Sequence, residues 1–301
     1  MSVESVDVTT VASATVAARS RLSTYLALTK PRIIELLLIT TVPSMVVAAQ
    51  DWPGTLLVLA TLFGGTMSAA GANALNNYLD RDIDELMRRT RSRPLARHEV
   101  PAHHALILGV SLGTAGFVWL WMTTNLLAAA LSTSALLFYV FVYTIALKRR
   151  TPLNIVIGGA AGAAPTLVGW AAVTGGLDPA AWALFAVVFY WTPPHFWALA
   201  LRYRDDYATA GVPMLPVIAG VEATTRRMLL YTSLVIFVSL TVVPLAGLGW
   251  VYLLAALTLG AWFLWGTWRV HRSPDQAMKL FVSSNVYLAA LFAAALVDVL
   301  V

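Results

Sequence analysis

Apolar residues run along this chain in long continuous blocks, near 33–49, 55–78, 104–122, 126–147, 153–173, 180–201, 228–246, 250–268 and 280–301. A helix of about 20 apolar residues crosses a hydrocarbon layer of roughly 30 Å, and helices are the spanning form that such runs allow. The pattern predicts an all-α, polytopic membrane protein with nine transmembrane helices. Pro43, Pro165 and the Pro193-Pro194 pair fall inside runs and are expected to kink their helices rather than end them. Residues 1–22, rich in Ser, Thr, Val and Ala, hold no apolar core before a cleavage site. They read as a mobile tail, not a signal peptide, which leaves 23–301 as a single transmembrane domain.

Composition agrees with a lipid-facing surface. Of 301 residues 59% are apolar and 12% charged, with a mean hydropathy of +0.74. That excludes a Rossmann enzyme, a β-sandwich and a disordered tail protein. With no cysteine there are no disulfides, no Cys-ligated zinc and no thiolate catalysis. A net charge of +5 suggests nucleic acid only until the charges are sorted by side. All 20 Lys and Arg fall before the first run or in the connections after the second, fourth, sixth and eighth; the alternate connections and the C-terminus carry none. The positive-inside rule then predicts a cytoplasmic N-terminus and, nine being odd, an external C-terminus. The basic balance is a topogenic signal, and no nucleic-acid partner is expected.

The acids divide the same way. Asp51, Asp178 and Asp298 lie on the outer side, and two acidic clusters gather on the inner one. The first follows the second run, where Asn73, Asn76, Asp80 and Asp84 step by three or four and so share one helical face. Carboxylates so placed repel unless a cation sits between them, and an all-oxygen ligand set suits Mg²⁺ held partly through substrate phosphates. Arg88, Arg89 and Arg93 just downstream supply guanidinium forks that match phosphate oxygens. The plainer reading is a solvated helix end with Asp84–Arg88 and Glu85–Arg89 pairs at spacing four. It leaves unexplained the amides at the apolar end of a span, where unpaired polar groups are costly.

Three weaker signals remain. Asp205 and Asp206 follow the sixth run on the same side as the first cluster. They read either as a facing carboxylate site or as ordinary loop residues. Tyr139 and Tyr143 share a face above Lys148 and Arg149. They read as a phosphate grip or as an aromatic belt with topogenic charge. His195, in Trp191-Thr-Pro-Pro-His195, is membrane-buried by position and therefore a functional candidate, the alternative being a helix-to-helix hydrogen bond. On one continuous helix, His195 lies on the Asp206 face and about 16 Å deeper.

These motifs carry a resemblance. Asn76-x-x-x-Asp80-x-x-x-Asp84 in a multi-span frame is similar to the intramembrane aromatic prenyltransferase superfamily. Lys30-Pro31-Arg32, Arg93-Pro94-Leu95, Leu147 to Asn154, Pro194-His195-Phe196-Trp197 and Asp205-Asp206-Tyr207 running to Pro216 resemble its heme-modifying branch, the protoheme IX farnesyltransferases or heme O synthases. The likeness covers about residues 25 to 220; the last three spans add only hydropathy. It implies a central cavity opening to the cytoplasm, in an inner cell membrane. It also implies Mg²⁺-dependent transfer of a farnesyl group from farnesyl diphosphate to a vinyl group of protoheme IX (heme B), giving heme O and diphosphate. Asn76, Asp80, Asp84, Asp205 and Asp206 are expected on Mg²⁺, and Arg88, Arg89, Arg93, Lys148 and Arg149 on diphosphate. Tyr139 and Tyr143 are expected to shield a carbocation, and His195 to meet heme. Heme A synthase or terminal-oxidase assembly factors are candidate partners. One departure stands out: broader members carry Asp-x-x-x-Asp in the second loop, whereas residues 209 and 210 here are Thr and Ala. The carry-over therefore rests on Asp206, and the number of Mg²⁺ ions stays open. The alternatives are a sister enzyme acting on a quinone precursor, an anion transporter and a non-catalytic assembly factor.

Overall fold

Three helix starts carry an N-cap side chain, Ser20, Asn125 and Asp178. The computed structural model describes residues 20–301, except the side chains of residues 32–38. Of the expected N-terminal tail, residues 1–19 lie outside the described residues, and the chain is already helical from Arg21. The Ser20 hydroxyl accepts the Ser23 N–H to start α1 (Arg21–Thr29). Pro31 takes the first position of α2 (Pro31–Ala49), where its missing N–H costs nothing. Then come α3 (Thr55–Leu86), α4 (Ala102–Thr123), and α5 (Leu126–Leu137), which continues as a π-helix over Phe138–Leu147. They are followed by α6 (Asn154–Thr174), α7 (Pro179–Arg202), short α8 (Arg204–Thr209) and α9 (Leu215–Ile218), α10 (Gly220–Ala246), α11 (Trp250–Arg272) and α12 (Ala277–Leu300).

Every element among the described residues is helical, and eight helices are long and apolar enough to cross a membrane. The chain is a multi-pass membrane protein. The first expected span, residues 33–49, falls in the 19-residue α2, whose described side chains resume at Ile39. The four prolines expected to kink their helices sit within continuing ones: Pro43 in α2, Pro165 in α6, Pro193 and Pro194 in α7. The three acids at the end away from the Lys and Arg residues each meet backbone N–H groups. Asp178 accepts from Ala180 and Ala181 at 3.1 and 3.3 Å. Asp298 accepts from Gly249 and, at 3.0 Å, from Tyr252, and Asp51 from Trp52 at 2.6 Å. At the starts of α7 and α11 such carboxylates complement the helix dipole.

Neighbouring helices pack in sequence order from α3 to α7, α10 and α11 pack against α7 and α12, and α12 returns to α2. Between α3 and α4 the contact is made by small residues, as in lipid, where close backbone approach replaces a hydrophobic drive. A Cβ placed on Gly71 would stand 2.7 Å from the Gly109 carbonyl oxygen. Large exposed side chains such as Leu56, Phe237 and Trp250 point outward, as a lipid-facing surface requires.

A methyl at Gly71 therefore wedges α3 from α4, and Gly71→Ala is expected to lower stability by about 1–3 kcal/mol. Thermal unfolding in detergent checks it. Gly65→Ala on the same helix, where a Cβ meets nothing within 4 Å, should leave the midpoint unchanged or raised.

Candidate active site

The site grows from about the last four turns of α3, which run past the apolar block. Asn73, Asn76, Asn77, Asp80 and Asp84 are all buried there. Two of the amides are structural. Asn73 and Asn77 donate from Nδ2 to the Thr29 and Leu28 carbonyls at 3.1 and 2.7 Å, closing the end of α1, whose last carbonyls lack helical partners. That docking delivers Lys30, a left-handed residue at φ 51° between α1 and α2, whose Nζ donates to Asn76 Oδ1 at 2.7 Å. Burial, with Arg93 close by, holds the Lys30 ammonium well below its ordinary range.

Asn76 passes the contact on. Its Nδ2 donates to Asp80 Oδ2 at 2.7 Å and to Thr144 Oγ1 at 3.1 Å. Lys148 Nζ bonds the same Asp80 oxygen. The π-helical register makes this possible: Thr144 Oγ1 donates to the Tyr139 carbonyl at 2.8 Å and Lys148 N to the Tyr143 carbonyl at 2.8 Å, each five residues back. Asp80 has no exposed surface, and its Oδ1 is buried with no hydrogen-bond partner. The Arg149 guanidinium stands 3.9 Å from it while pairing with Asp82 at 2.7 Å.

One turn on, Arg93 Nη1 donates to both oxygens of Asp84, at 2.8 and 2.6 Å. Because α3 ends at Leu86, the spacing-four pairs Asp84–Arg88 and Glu85–Arg89 do not form. Arg88 instead reaches Asp206 at 2.8 Å, and Glu85 faces His98 at 3.5 Å. The Arg89 N–H also donates to Asp206, at 3.2 Å, and its side chain lies 5.9 and 6.0 Å from the Tyr203 and Tyr207 rings. Burial opposes ionisation of Asp206, yet the Arg88 and Arg89 hydrogen bonds win and hold its carboxyl below the usual range. Asp206 thus ties the 87–101 connection to α8, and Asp205 beside it is exposed.

Tyr139 and Tyr143 stack at 5.3 Å and 22°. A Cβ on Gly158 of α6 would lie 2.3 Å from the Tyr143 ring, so glycine is what seats that ring. His195 is buried deeper on α7, between Trp191 at 4.3 Å and Phe281 at 4.5 Å. Its Nδ1 meets Ser284 Oγ of α12 at 2.7 Å, the helix-to-helix bond that the sequence left open. The expected placement of His195 relative to Asp206 needs correction. The helix stops at Arg202 and Tyr203 turns the chain at φ −110° and ψ 29°, so the two are not on one helix and share no helical face.

Among the described residues no three His, Asp or Glu side chains converge as a metal cage. Three of the four expected carboxylates are matched instead with a base, Asp80 with Lys148, Asp84 with Arg93 and Asp206 with Arg88, and Asp205 is in none of these pairs. The recess at this end lined by Arg81, Asp82, Glu85 and His98 includes none of the expected site residues. Sequence reasoning missed Lys30 and Thr144. Lys30 stood among the topogenic charges, and Thr144 carried no signal because a π-turn is invisible in an unbroken apolar run.

The UbiA prenyltransferase family model matches residues 37–296. The chain belongs to that family. It is similar to "Protoheme IX farnesyltransferase 2" of Saccharopolyspora erythraea, 51% identical over 282 residues, 92% of this chain and 86% of that one. Its identity to the "Protoheme IX farnesyltransferase" of Rhodococcus jostii is 52% over 91% of this chain and 92% of the relative. Among solved structures it shares the fold of a digeranylgeranylglyceryl phosphate synthase at TM-score 0.76, 20% identity and coverage of 92% and 98%. A UbiA homolog from Archaeoglobus fulgidus bound to GPP and Mg²⁺ matches at TM-score 0.62, 15% identity and coverage of 90% and 99%. As a member of the UbiA family the chain is a membrane-embedded prenyltransferase, and the paired acids and bases at the Lys- and Arg-bearing end are its candidate active site.

In this UbiA-family site Lys148→Met strands a buried carboxylate, and the expected loss is roughly 3–5 kcal/mol in thermal or denaturant unfolding. Adding Asp80→Asn to that variant should restore part of it, since an amide tolerates burial better than an unpaired charge.

Proposed function

We propose that this protein transfers the farnesyl group of farnesyl diphosphate to a vinyl group of protoheme IX (heme B), giving heme O and diphosphate. The observation that carries the reading is about 50% identity to protoheme IX farnesyltransferases over more than nine-tenths of the chain. In the reaction the bond between farnesyl C1 and the diphosphate oxygen breaks, and C1 bonds the terminal vinyl carbon. Water adds its oxygen to the vinyl carbon next to the ring and releases a proton, and diphosphate departs with the electron pair.

Asn76, Asp80, Asp84, Asp205 and Asp206 would hold Mg²⁺, and the buried Asp80 Oδ1, which accepts no hydrogen bond, suits a hard cation. When bound there, Mg²⁺ supplies positive charge beside the departing diphosphate. Arg88, Arg89, Arg93, Lys148 and Arg149 bind and orient the diphosphate oxygens, exchanging their carboxylate partners for phosphate. Tyr139 and Tyr143 offer their π faces to the allylic cation and keep water from it. His195 meets heme in the apolar interior of a central cavity that opens at the basic end. By the positive-inside rule that end is cytoplasmic, the N-terminus lies on the same side, and the C-terminus lies outside the inner cell membrane. Heme A synthase or terminal-oxidase assembly factors would receive the product.

Purified protein incubated with heme, farnesyl diphosphate and Mg²⁺ should yield the hydroxyethylfarnesyl porphyrin by mass. A quinone-precursor adduct in a parallel incubation, with heme unchanged, would give the reaction to a sister enzyme. Asp80→Ala is expected to lower kcat/KM by about 100-fold or more, ~3 kcal/mol of transition-state stabilisation. Turnover near wild type at saturating Mg²⁺ would falsify the assigned role of that carboxylate.

A further inference from the structure

Ser284 is fully buried on α12 and faces His195 across the α7–α12 contact. Its Oγ lies 2.7 Å from His195 Nδ1 and donates at 2.7 Å to the Phe281 carbonyl one turn back. A hydroxyl has a single proton. With that proton on the Phe281 carbonyl, Oγ offers only lone pairs to the ring, so Nδ1 must carry the hydrogen between them. In a neutral imidazole Nε2 is then bare, and among the described residues it has no hydrogen-bond partner. The same serine fixes the ring plane. Trp191 Nε1 donates to the Ser284 carbonyl at 2.9 Å, and Trp191 stacks on His195 at 19° while Phe281 covers the other face at 26°.

We propose that Ser284 is a positioning residue that fixes the His195 tautomer and leaves the Nε2 lone pair free for the iron of the porphyrin substrate. This rests on the reading of His195 as the heme-binding group. Metal-binding imidazoles characteristically donate their other N–H to an acceptor, which sets ring orientation and raises basicity. Here that acceptor comes from the last transmembrane helix, so α12 completes a site whose imidazole is carried by α7.

The test titrates purified full-length protein with ferric protoheme and follows the Soret and charge-transfer bands, with thermal unfolding of the heme-free protein run alongside. Ser284→Ala should weaken heme binding about 10- to 100-fold and move the bands away from an imidazole-ligated spectrum. Ser284→Thr, which keeps the hydroxyl, should restore them. If the alanine variant folds poorly, Ser284→Cys, similar in volume but a weak acceptor, must show the same spectral change. A wild-type titration in both Ser284→Ala and Ser284→Cys, while His195→Ala loses the imidazole bands, overturns the role of Ser284 and leaves His195 with heme. An unchanged titration in His195→Ala overturns the heme reading of His195 and the serine's role with it.

Discussion

A carboxylate with no exposed surface, Asp80, closes the inward-facing side of α3, and the geometry of the site follows from what it takes to keep that charge there. An unpaired buried anion costs several kcal/mol, so a cation must come to it. Lys148 comes from the end of the π-helical segment, and Asn76 bonds both the carboxylate and Lys30. Three separate stretches of chain are thereby tied together: the turn after Leu147 on the Asp80 carboxylate of α3, and the α1–α2 junction on Asn76 beside it. The π-helix belongs to the same constraint. Its wider turn brings Thr144 onto Asn76 and Lys148 onto Asp80 together.

Pairing each acid with its own base also shapes what the site can do. Asp80 with Lys148, Asp84 with Arg93 and Asp206 with Arg88 form three matched pairs at the basic end. On the proposed function, a divalent cation on a diphosphate would enter by exchange, the carboxylates turning to the cation and the bases to the phosphate. A ligand of one sign alone would leave half the groups unmatched. On that reading the pairs match a metal-complexed diphosphate better than a free anion. The Asp206 contacts add a mechanical element, because the backbone N–H of Arg89 is one of them and the loop cannot move without releasing it.

Much of this was legible in the chain. Asn76, Asp80 and Asp84 read as one buried helical face because the 3.6-residue period continued past the apolar block, and α3 does run to Leu86 without a break. The one-sided charge pattern likewise marked the end of the bundle where the acids and bases meet. What failed did so for identifiable reasons. The spacing-four pairs assumed a helix through Arg89, and the same assumption of continuity put His195 and Asp206 on one face across Tyr203. Lys30 was hidden because a topogenic lysine and a site lysine look alike until tertiary contacts separate them. Asn73 was read as one of the costly amides, and its cost is met by the Thr29 carbonyl at the end of α1.

The C-terminal helices carried no motif, and the reason lies in how a membrane interior hides function. A serine on an apolar helix is unremarkable in sequence, since its hydroxyl can always bond back along its own helix, as Ser284 does to Phe281. What distinguishes it is the second partner across the interface, which only packing supplies. In water a histidine can recruit a solvent molecule to define its tautomer; in hydrocarbon the partner must be built in. The proline pair just before His195 removes two N–H donors from α7 and so leaves the Phe189 and Tyr190 carbonyls without their helical bonds. At that weakened turn, Trp191 and His195 are both held from α12 through one residue. The orientation of the imidazole is thus a property of two residues 89 apart in sequence, on two helices, which is why neither helix shows it alone.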